Sequence, residues 1–244
     1  MKRTERHHLK ENELGHLAMG ARDFVQGQGR SVGLLVTGVL VVLIAVLGYV
    51  GWSNHVQGQA HALLADAMAL DDAAVGPPPA PGSPAPAGVH FATVDERNQA
   101  SQQKFKAVAD QYPSSEAGIF ARYREAGMWM ALRNPSNAAS AFEQVIEKAG
   151  SSSLYGQLAR LGLAEAQAQS GQLDPAVSTM MEMAQHKDGP VPVDGILLRL
   201  AHIYLDAGKT TDAQQTFTRL VSEYPNSPFA PDARRELSTL KKPS

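Results

Sequence analysis

The sequence contains no cysteine, and aromatic residues make up only 6% of its 244 positions. Without cysteine the chain cannot form disulfide bonds, iron–sulfur clusters or a thiol nucleophile. The formal net charge is -2, whereas nucleic-acid binding normally requires a basic face. We therefore expect neither thiol chemistry nor a nucleic-acid partner.

Sequence motifs for catalysis are also scarce. There is no glycine-rich phosphate loop and no H-E-x-x-H zinc motif. His202 and Asp206 lie four residues apart, a spacing that could bind a metal. We interpret this pair as a hydrogen bond on a helix surface, which is the commoner meaning of the spacing. The sequence therefore predicts a protein that is not an enzyme and has no cofactor or metal.

Charge is absent from a long stretch near the N-terminus. Residues 31–65 carry no charged side chain, and 13 of the 21 residues in 32–52 are valine, leucine or isoleucine. A helix rises by about 1.5 Å per residue, so this run spans roughly 31 Å, the thickness of the hydrocarbon core of a bilayer. The pattern predicts a transmembrane signal anchor at residues 31–53.

The charges that flank the anchor are asymmetric. Six lysines and arginines lie in residues 1–30, whereas none lies between Trp52 and Glu96. The positive-inside rule therefore predicts a cytoplasmic tail at residues 1–30 and an exported C-terminal part. This topology describes a single-pass protein of the bacterial inner membrane with a periplasmic domain.

A cleaved signal peptide is the alternative interpretation of the same segment. Ala60-His61-Ala62 has the A-x-A form of a cleavage site. The apolar run, however, is longer than the usual apolar region of a signal peptide, and the preceding region is 30 residues long. We therefore favour an uncleaved anchor.

A proline-rich segment follows the anchor. Residues 54–75 read as a membrane-proximal helix, and 76–88 then contain six prolines in 13 residues, which neither a helix nor a central strand tolerates. We predict an extended linker at 76–90, about 40 Å long, that lifts the following domain off the bilayer. The alternative is a proline-rich ligand for a recognition domain.

Residues 91–244 contain internal repeats. Phe105 and the Tyr112-Pro113 pair recur 112 residues later as Phe217 and Tyr224-Pro225. Between them, three pairs of a small and a large residue recur at intervals of 38 and 37: Ala138/Phe142, Ala176/Met180 and Ala213/Phe217. This spacing is typical of tetratricopeptide-like helix pairs. The sequence therefore predicts an all-α fold, with one N-terminal transmembrane helix and a tetratricopeptide-like α-solenoid of about eight helices.

The repeat register predicts where a partner would bind. In such solenoids the first helix of each unit lines the concave face. The residues expected on that face are Tyr123, Met130, Glu165, Gln169, His202 and Asp206. An aromatic ring and a flexible methionine at one end, with acids at the other, suit peptide segments of basic character.

The central repeat carries a family resemblance. From Ser153 the chain reads Ser-Leu-Tyr-Gly-Gln-Leu-Ala-Arg-Leu-Gly-Leu-Ala-Glu-Ala-Gln, and from Gly171 it reads Gly-Gln-Leu-Asp-Pro-Ala. Together with the short tail, single anchor and exported repeats, this resembles the YfgM-like ancillary subunits of the bacterial Sec translocon. The resemblance implies a periplasmic scaffold whose partners are translocon subunits and periplasmic chaperones.

A second resemblance lies in the last repeat. The pattern comprises Ala213, Phe217, Tyr224-Pro225, Ser227 and Ala233-Arg234. It is similar to repeats in outer-membrane assembly lipoproteins and in the Tol–Pal-associated coordinator. Those proteins lack this anchor, and a lipoprotein would need a cysteine. The alternative function that it implies is an envelope-assembly or cell-division adaptor.

Overall fold

A computed structural model describes residues 29–77 and 88–240 of the chain. Almost all of the tail expected at 1–30, and most of the proline-rich segment at 76–90, lie outside the described residues. The chain divides into two units, Met1–His55 and Val56–Ser244.

Helices make up nearly all of the regular structure. In chain order the elements are α1 (Gly29–Asp71), β1 (Ala74–Val75), β2 (His90–Phe91), α2 (Val94–Gln111), α3 (Glu116–Ala131), α4 (Pro135–Ala149), α5 (Leu154–Gln169), α6 (Leu173–Met183), α7 (Val193–Asp206), α8 (Thr210–Glu223) and α9 (Ala230–Leu240). Within the described part of the chain, eight helices follow residue 93, in agreement with the predicted solenoid of about eight helices. The all-α prediction is confirmed.

The described part of the first unit consists of the apolar part of α1. The helix between Gly33 and Asp71 reaches a mean hydropathy of 2.6 in an 18-residue window, so by length and composition it can cross a membrane. Every side chain from residue 33 to residue 52 is exposed. An apolar helix that is exposed on all its faces needs lipid or a protein partner to cover it.

The second unit begins with the last part of α1, and here the helix is packed. Ala60 and Ala67 are fully buried, and Leu64 is 8% exposed. These three residues share one hydrophobic cluster with Phe105 of α2 and Ala121 of α3. The membrane-proximal helix is therefore part of the core of the second unit.

Polar contacts reinforce this packing at both ends. The hydroxyl of Tyr112 donates a hydrogen bond to Oε1 of Gln59 at 3.2 Å. Farther along, Asp71 forms an ion pair with Arg124 of α3. The Arg124 guanidinium also lies 5.6 Å from the centre of the Phe105 ring, a cation–π arrangement.

The two ends of the proline-rich segment are held side by side. β1 and β2 pair in parallel, with Ala74 opposite His90 and Val75 opposite Phe91. Paired strands lie about 4.8 Å apart, so the segment cannot separate its flanking helices by 40 Å. The spacer prediction is wrong: the segment is an insertion between α1 and α2. Its composition predicts an extended chain but carries no information on how its flanks pair.

Adjacent leucines on α1 allow the packing of this helix to be tested. Leu64→Ala removes buried side-chain volume, so we expect it to lower the free energy of unfolding by about 2 kcal/mol. Leu63 is 38% exposed, and Leu63→Ala should change stability by no more than about 0.5 kcal/mol. Thermal unfolding of a chain that begins at residue 56, followed by circular dichroism, measures both. Equal effects would contradict the packed helix.

A recurrent set of buried residues organises the second helix of each pair. A small residue, a large residue and a further apolar residue follow at intervals of four and three, all nearly or fully buried. The sets are Ala138, Phe142 and Val145 on α4; Ala176, Met180 and Met183 on α6; and Ala213, Phe217 and Leu220 on α8.

The same set occurs on α2, where the sequence pattern did not reveal it. Ser101, Phe105 and Val108 are buried and lie 37 residues before Ala138, Phe142 and Val145, since 138 − 101 = 37. α2 is therefore the second helix of an additional unit. Residues 56–71 of α1 stand where its first helix belongs.

The turns inside the units repeat as well. A residue with positive φ follows the first helix of each of three units: Arg133 at 55°, Gly171 at 80° and Gly208 at 70°. In each turn the next residue donates its backbone N–H to a carbonyl five residues back at 2.8 Å, as from Lys209 to Tyr204. This is the Schellman arrangement that ends a helix. Gly208 therefore closes α7 in the left-handed conformation.

A buried carboxylate joins α2 to α3. Glu125 is 3% exposed and accepts hydrogen bonds from Gln102 at 3.1 Å, Trp129 at 3.3 Å and Arg122 at 2.5 Å. Burial by itself would lower the pKa of the Arg122 guanidinium. The hydrogen bonds and negative charges of Asp110 and Glu125 have the larger combined effect, so the pKa is raised. Because both carboxylate oxygens of Glu125 accept hydrogen bonds, one of them from a charged guanidinium, its burial is compatible with a stable fold.

Ser101 gives a second test of the fold. Its hydroxyl is fully buried and has no hydrogen-bond partner, whereas the other units have alanine at this position. An unpaired buried hydroxyl is destabilising, so Ser101→Ala should raise the free energy of unfolding by about 1 kcal/mol. Ser140 is exposed on α4, so Ser140→Ala changes the helix propensity alone. It should raise the free energy of unfolding by about 0.5 kcal/mol. Chemical denaturation compares them. A smaller gain at Ser101 than at Ser140 would refute the argument.

Candidate partner-binding groove

The first helices of three units lie beside one another. α3 contacts α5, and α5 contacts α7, although each pair is separated in sequence by an intervening second helix. Two neighbouring cavities follow this face, one of about 230 Å³ and one of about 390 Å³. We call them the aromatic cavity and the acidic cavity, and together they form the groove.

The aromatic cavity lies mainly between α3 and α5. Its lining consists of Tyr123, Arg124, Gly127, Met130, Phe142, Leu158, Leu161, Gly162, Glu165 and Arg199. The Tyr123 ring lies 5.8 Å from Phe142 and 6.2 Å from Tyr155, and burial raises the pKa of its hydroxyl. Tyr123 is therefore a neutral, partly buried wall of the cavity.

The acidic cavity lies mainly between α5 and α7. Its lining consists of Glu165, Ala168, Gln169, Gly171, Leu173, Arg199, His202, Ile203, Asp206 and Ala207. The ring of His202 packs edge-on against Phe217, with 5.5 Å between centroids. Among the described residues no hydrogen bond joins His202 to Asp206, so the predicted helix-surface bond is wrong. The imidazole is positioned by Phe217, which sequence spacing on α7 cannot reveal.

The structure brings together all the residues that the repeat register placed on the concave face. Tyr123 and Met130 line the aromatic cavity, whereas Gln169, His202 and Asp206 line the acidic cavity. Glu165 lines both cavities. The geometry is therefore that of one groove, and its binding role stays a prediction.

Two arginines of the groove were missed by the sequence reasoning. Arg199 lines both cavities and forms an ion pair with Glu165 across α5 and α7. Arg124 lies in the aromatic cavity and is held by Asp71. A signal was available, because Arg124, Gly162 and Arg199 occupy one repeat position (162 − 124 = 38; 199 − 162 = 37).

Gly162 lets the floor of the groove pack closely. A Cβ atom at this position would lie 2.3 Å from Cζ of the Phe142 ring, well inside van der Waals contact. Gly127, also in the groove and also inside a helix, has no atom within 4 Å of the equivalent point. The absence of a side chain is therefore required at Gly162 and not at Gly127.

The two glycines make a matched test of this packing. Gly162→Ala should lower the free energy of unfolding by about 1–3 kcal/mol, because the ring of Phe142 must move. Gly127→Ala should raise it by about 0.5–1 kcal/mol, because alanine loses less backbone entropy in a helix. Urea denaturation measures both changes. The same sign for the two substitutions would show that Phe142 does not pack on Gly162.

Across residues 29–77 and 88–240, no group of three or more histidine, aspartate or glutamate side chains is placed to hold a metal ion. The groove combines apolar walls with charged and polar groups.

Comparison with known proteins identifies the repeat class. The sequence matches the family described as a tetratricopeptide repeat-like domain over residues 29–187 and again over residues 147–231. The first match covers more than half of the chain and includes α1. The chain belongs to this family. Its repeats define a protein-interaction scaffold, because stacked helix pairs create an extended concave surface.

Solved structures agree with this fold. Two crystal structures of nearly identical TPR-like repeats, described as those of a kinesin light chain from Podosopora anserina, each superpose with a TM-score of 0.51. They are 16% and 15% identical in sequence, and each alignment covers 60% of this chain and 78% of the other. At this identity the likeness shows the fold alone. No curated protein matches the sequence.

Proposed function

We propose that this protein is a membrane-anchored, periplasm-facing interaction scaffold that is ancillary to the Sec translocon and to periplasmic chaperones. The observation that carries the proposal is the groove that α3, α5 and α7 line in a repeat domain that follows an apolar helix. Polypeptides that emerge from a translocon are extended, and a concave groove suits an extended segment.

The anchor is supported by the two halves of α1. Residues 33–52 expose apolar side chains that a lipid environment would cover. Cleavage after Ala62 would remove the fully buried Ala60 and the Gln59 that binds Tyr112. The core of the repeat domain therefore favours the uncleaved signal anchor over the cleaved signal peptide. The charge asymmetry of the flanks supports the periplasmic orientation.

The alternative adaptor function has weaker support. It depends on the pattern around Tyr224 and Ser227, in which the Ser227 N–H donates to the Tyr224 carbonyl at 3.0 Å. The same turn joins α2 to α3, where the Ser115 N–H donates to the Tyr112 carbonyl at 3.1 Å. The pattern closes a turn in two places of the chain. Its presence is therefore explained by the fold and does not point to a particular partner.

Site-specific photocrosslinking in intact cells tests the proposed function. We place the crosslinker at Gln169 in the groove and, as a matched control, at the exposed Glu143 on α4. We expect translocon subunits or periplasmic chaperones to crosslink at Gln169 several-fold more than at Glu143. Alanine at both Tyr123 and Met130 should reduce the yield at Gln169, because these residues form the wall of the adjoining cavity.

The recovered proteins decide between the two functions. Tol–Pal or outer-membrane assembly components at Gln169 would establish the adaptor instead. Equal yields at Gln169 and Glu143, or partners only in the cytoplasm, would contradict the periplasmic scaffold.

A further inference from the structure

The acidic cavity has an excess of negative charge. Its charged lining residues are Glu165, Asp206 and Arg199, which sum to a formal charge of -1 with His202 neutral. Asp206 is exposed, and within the part of the chain that the structure describes no ion pair or hydrogen bond involves its carboxylate. The cavity therefore contains one uncompensated acid.

Apolar side chains surround these charges. Leu173 and Ile203 form walls of the cavity together with Ala168 and Ala207, and its volume of about 390 Å³ leaves room for a long side chain. A lysine or arginine buries an aliphatic stem and keeps its charge at the tip. The combination of apolar walls and a free carboxylate is complementary to such a side chain.

The second acid, Glu165, is paired with Arg199. The side chains of Arg199 and Glu165 are 50% and 26% exposed in their ion pair. An ion pair with this exposure contributes little stability and exchanges readily for another partner. Arg199 therefore repels an incoming cation and also occupies the carboxylate that could bind it.

We propose that the acidic cavity binds a basic side chain of an extended partner segment, with Asp206 as the ion-pair partner and Arg199 as the residue that limits affinity. This inference rests on the proposed scaffold function and adds the chemistry of the segment. An acidic segment is disfavoured, because Asp206 would repel it and Arg199 is already paired.

The test uses the full chain in nanodiscs of phosphatidylcholine, a lipid without net charge. The probes are two fluorescein-labelled ten-residue peptides of alternating serine and alanine, one with a central lysine and one with a central glutamate. We expect the lysine probe to bind about tenfold more tightly in fluorescence polarisation, and salt to weaken its binding. Empty nanodiscs control for binding to lipid.

Two substitutions should act in opposite directions on the lysine probe. Asp206→Asn should weaken its binding about threefold to fivefold, whereas Arg199→Gln should tighten it about threefold, because Glu165 is then free. Asp188→Asn makes the same charge change in the loop between α6 and α7, outside both cavities, and should leave binding unchanged. An unfolded variant cannot bind more tightly, so the Arg199 result does not depend on a stability control.

The outcomes separate this inference from the proposed function. Equal binding of the two probes, no binding of either, or weaker binding after Arg199→Gln would overturn the proposal that a basic side chain binds in the acidic cavity. Crosslinking at Gln169 to periplasmic partners would still support the scaffold in each of these cases. If crosslinking at Gln169 fails while the lysine probe binds as expected, the scaffold function is contradicted and the cavity chemistry stands.

Discussion

The close approach of paired helices at small residues is the contact on which the rest of this structure depends. Ala126 and Ala138 are fully buried in one unit, and Ala201 and Ala213 are fully buried in another. An alanine at the crossing brings two helices together, and the large residue four positions later fills the space beside it. No helix pair covers its own apolar face, however, so each unit depends on its neighbours.

That dependence explains why the end of α1 belongs to the repeat domain. α2 carries a large buried ring at Phe105 and needs a partner on the side away from α3. Residues 56–71 supply it, and the small side chains of Ala60 and Ala67 are fully buried in the same cluster. The proline-rich insertion is tolerated because a long insertion in a turn adds little closure entropy, and the pairing of β1 with β2 closes its ends.

The sequence predicts the parts of this fold that are set by local pattern. The apolar run and the intervals of 37 and 38 residues each have a direct physical meaning, and the structure has the corresponding elements. The unit formed by α1 and α2 could not be found in this way, because the insertion between its helices breaks the period and Ser101 replaces the expected alanine. Contacts across the groove, such as Arg199 with Glu165, depend on how neighbouring units stack. Helix periodicity identifies the face of each residue but not its partner on the next helix.

Core packing and the groove use different positions of the same helices. On α7, Leu197 and Leu200 are buried in the core, and their size is set by the neighbouring helices. His202 and Asp206 face the groove; the ring of His202 packs on Phe217, and Asp206 is exposed. A charge at the position of Asp206 can therefore change without loss of the fold. The exception is Gly162, where the ring of Phe142 reaches the groove floor, so this position of the aromatic cavity is constrained by the core. Under the proposed function, discrimination between partners should accordingly arise from exposed positions such as Asp206, which can vary at little cost to stability.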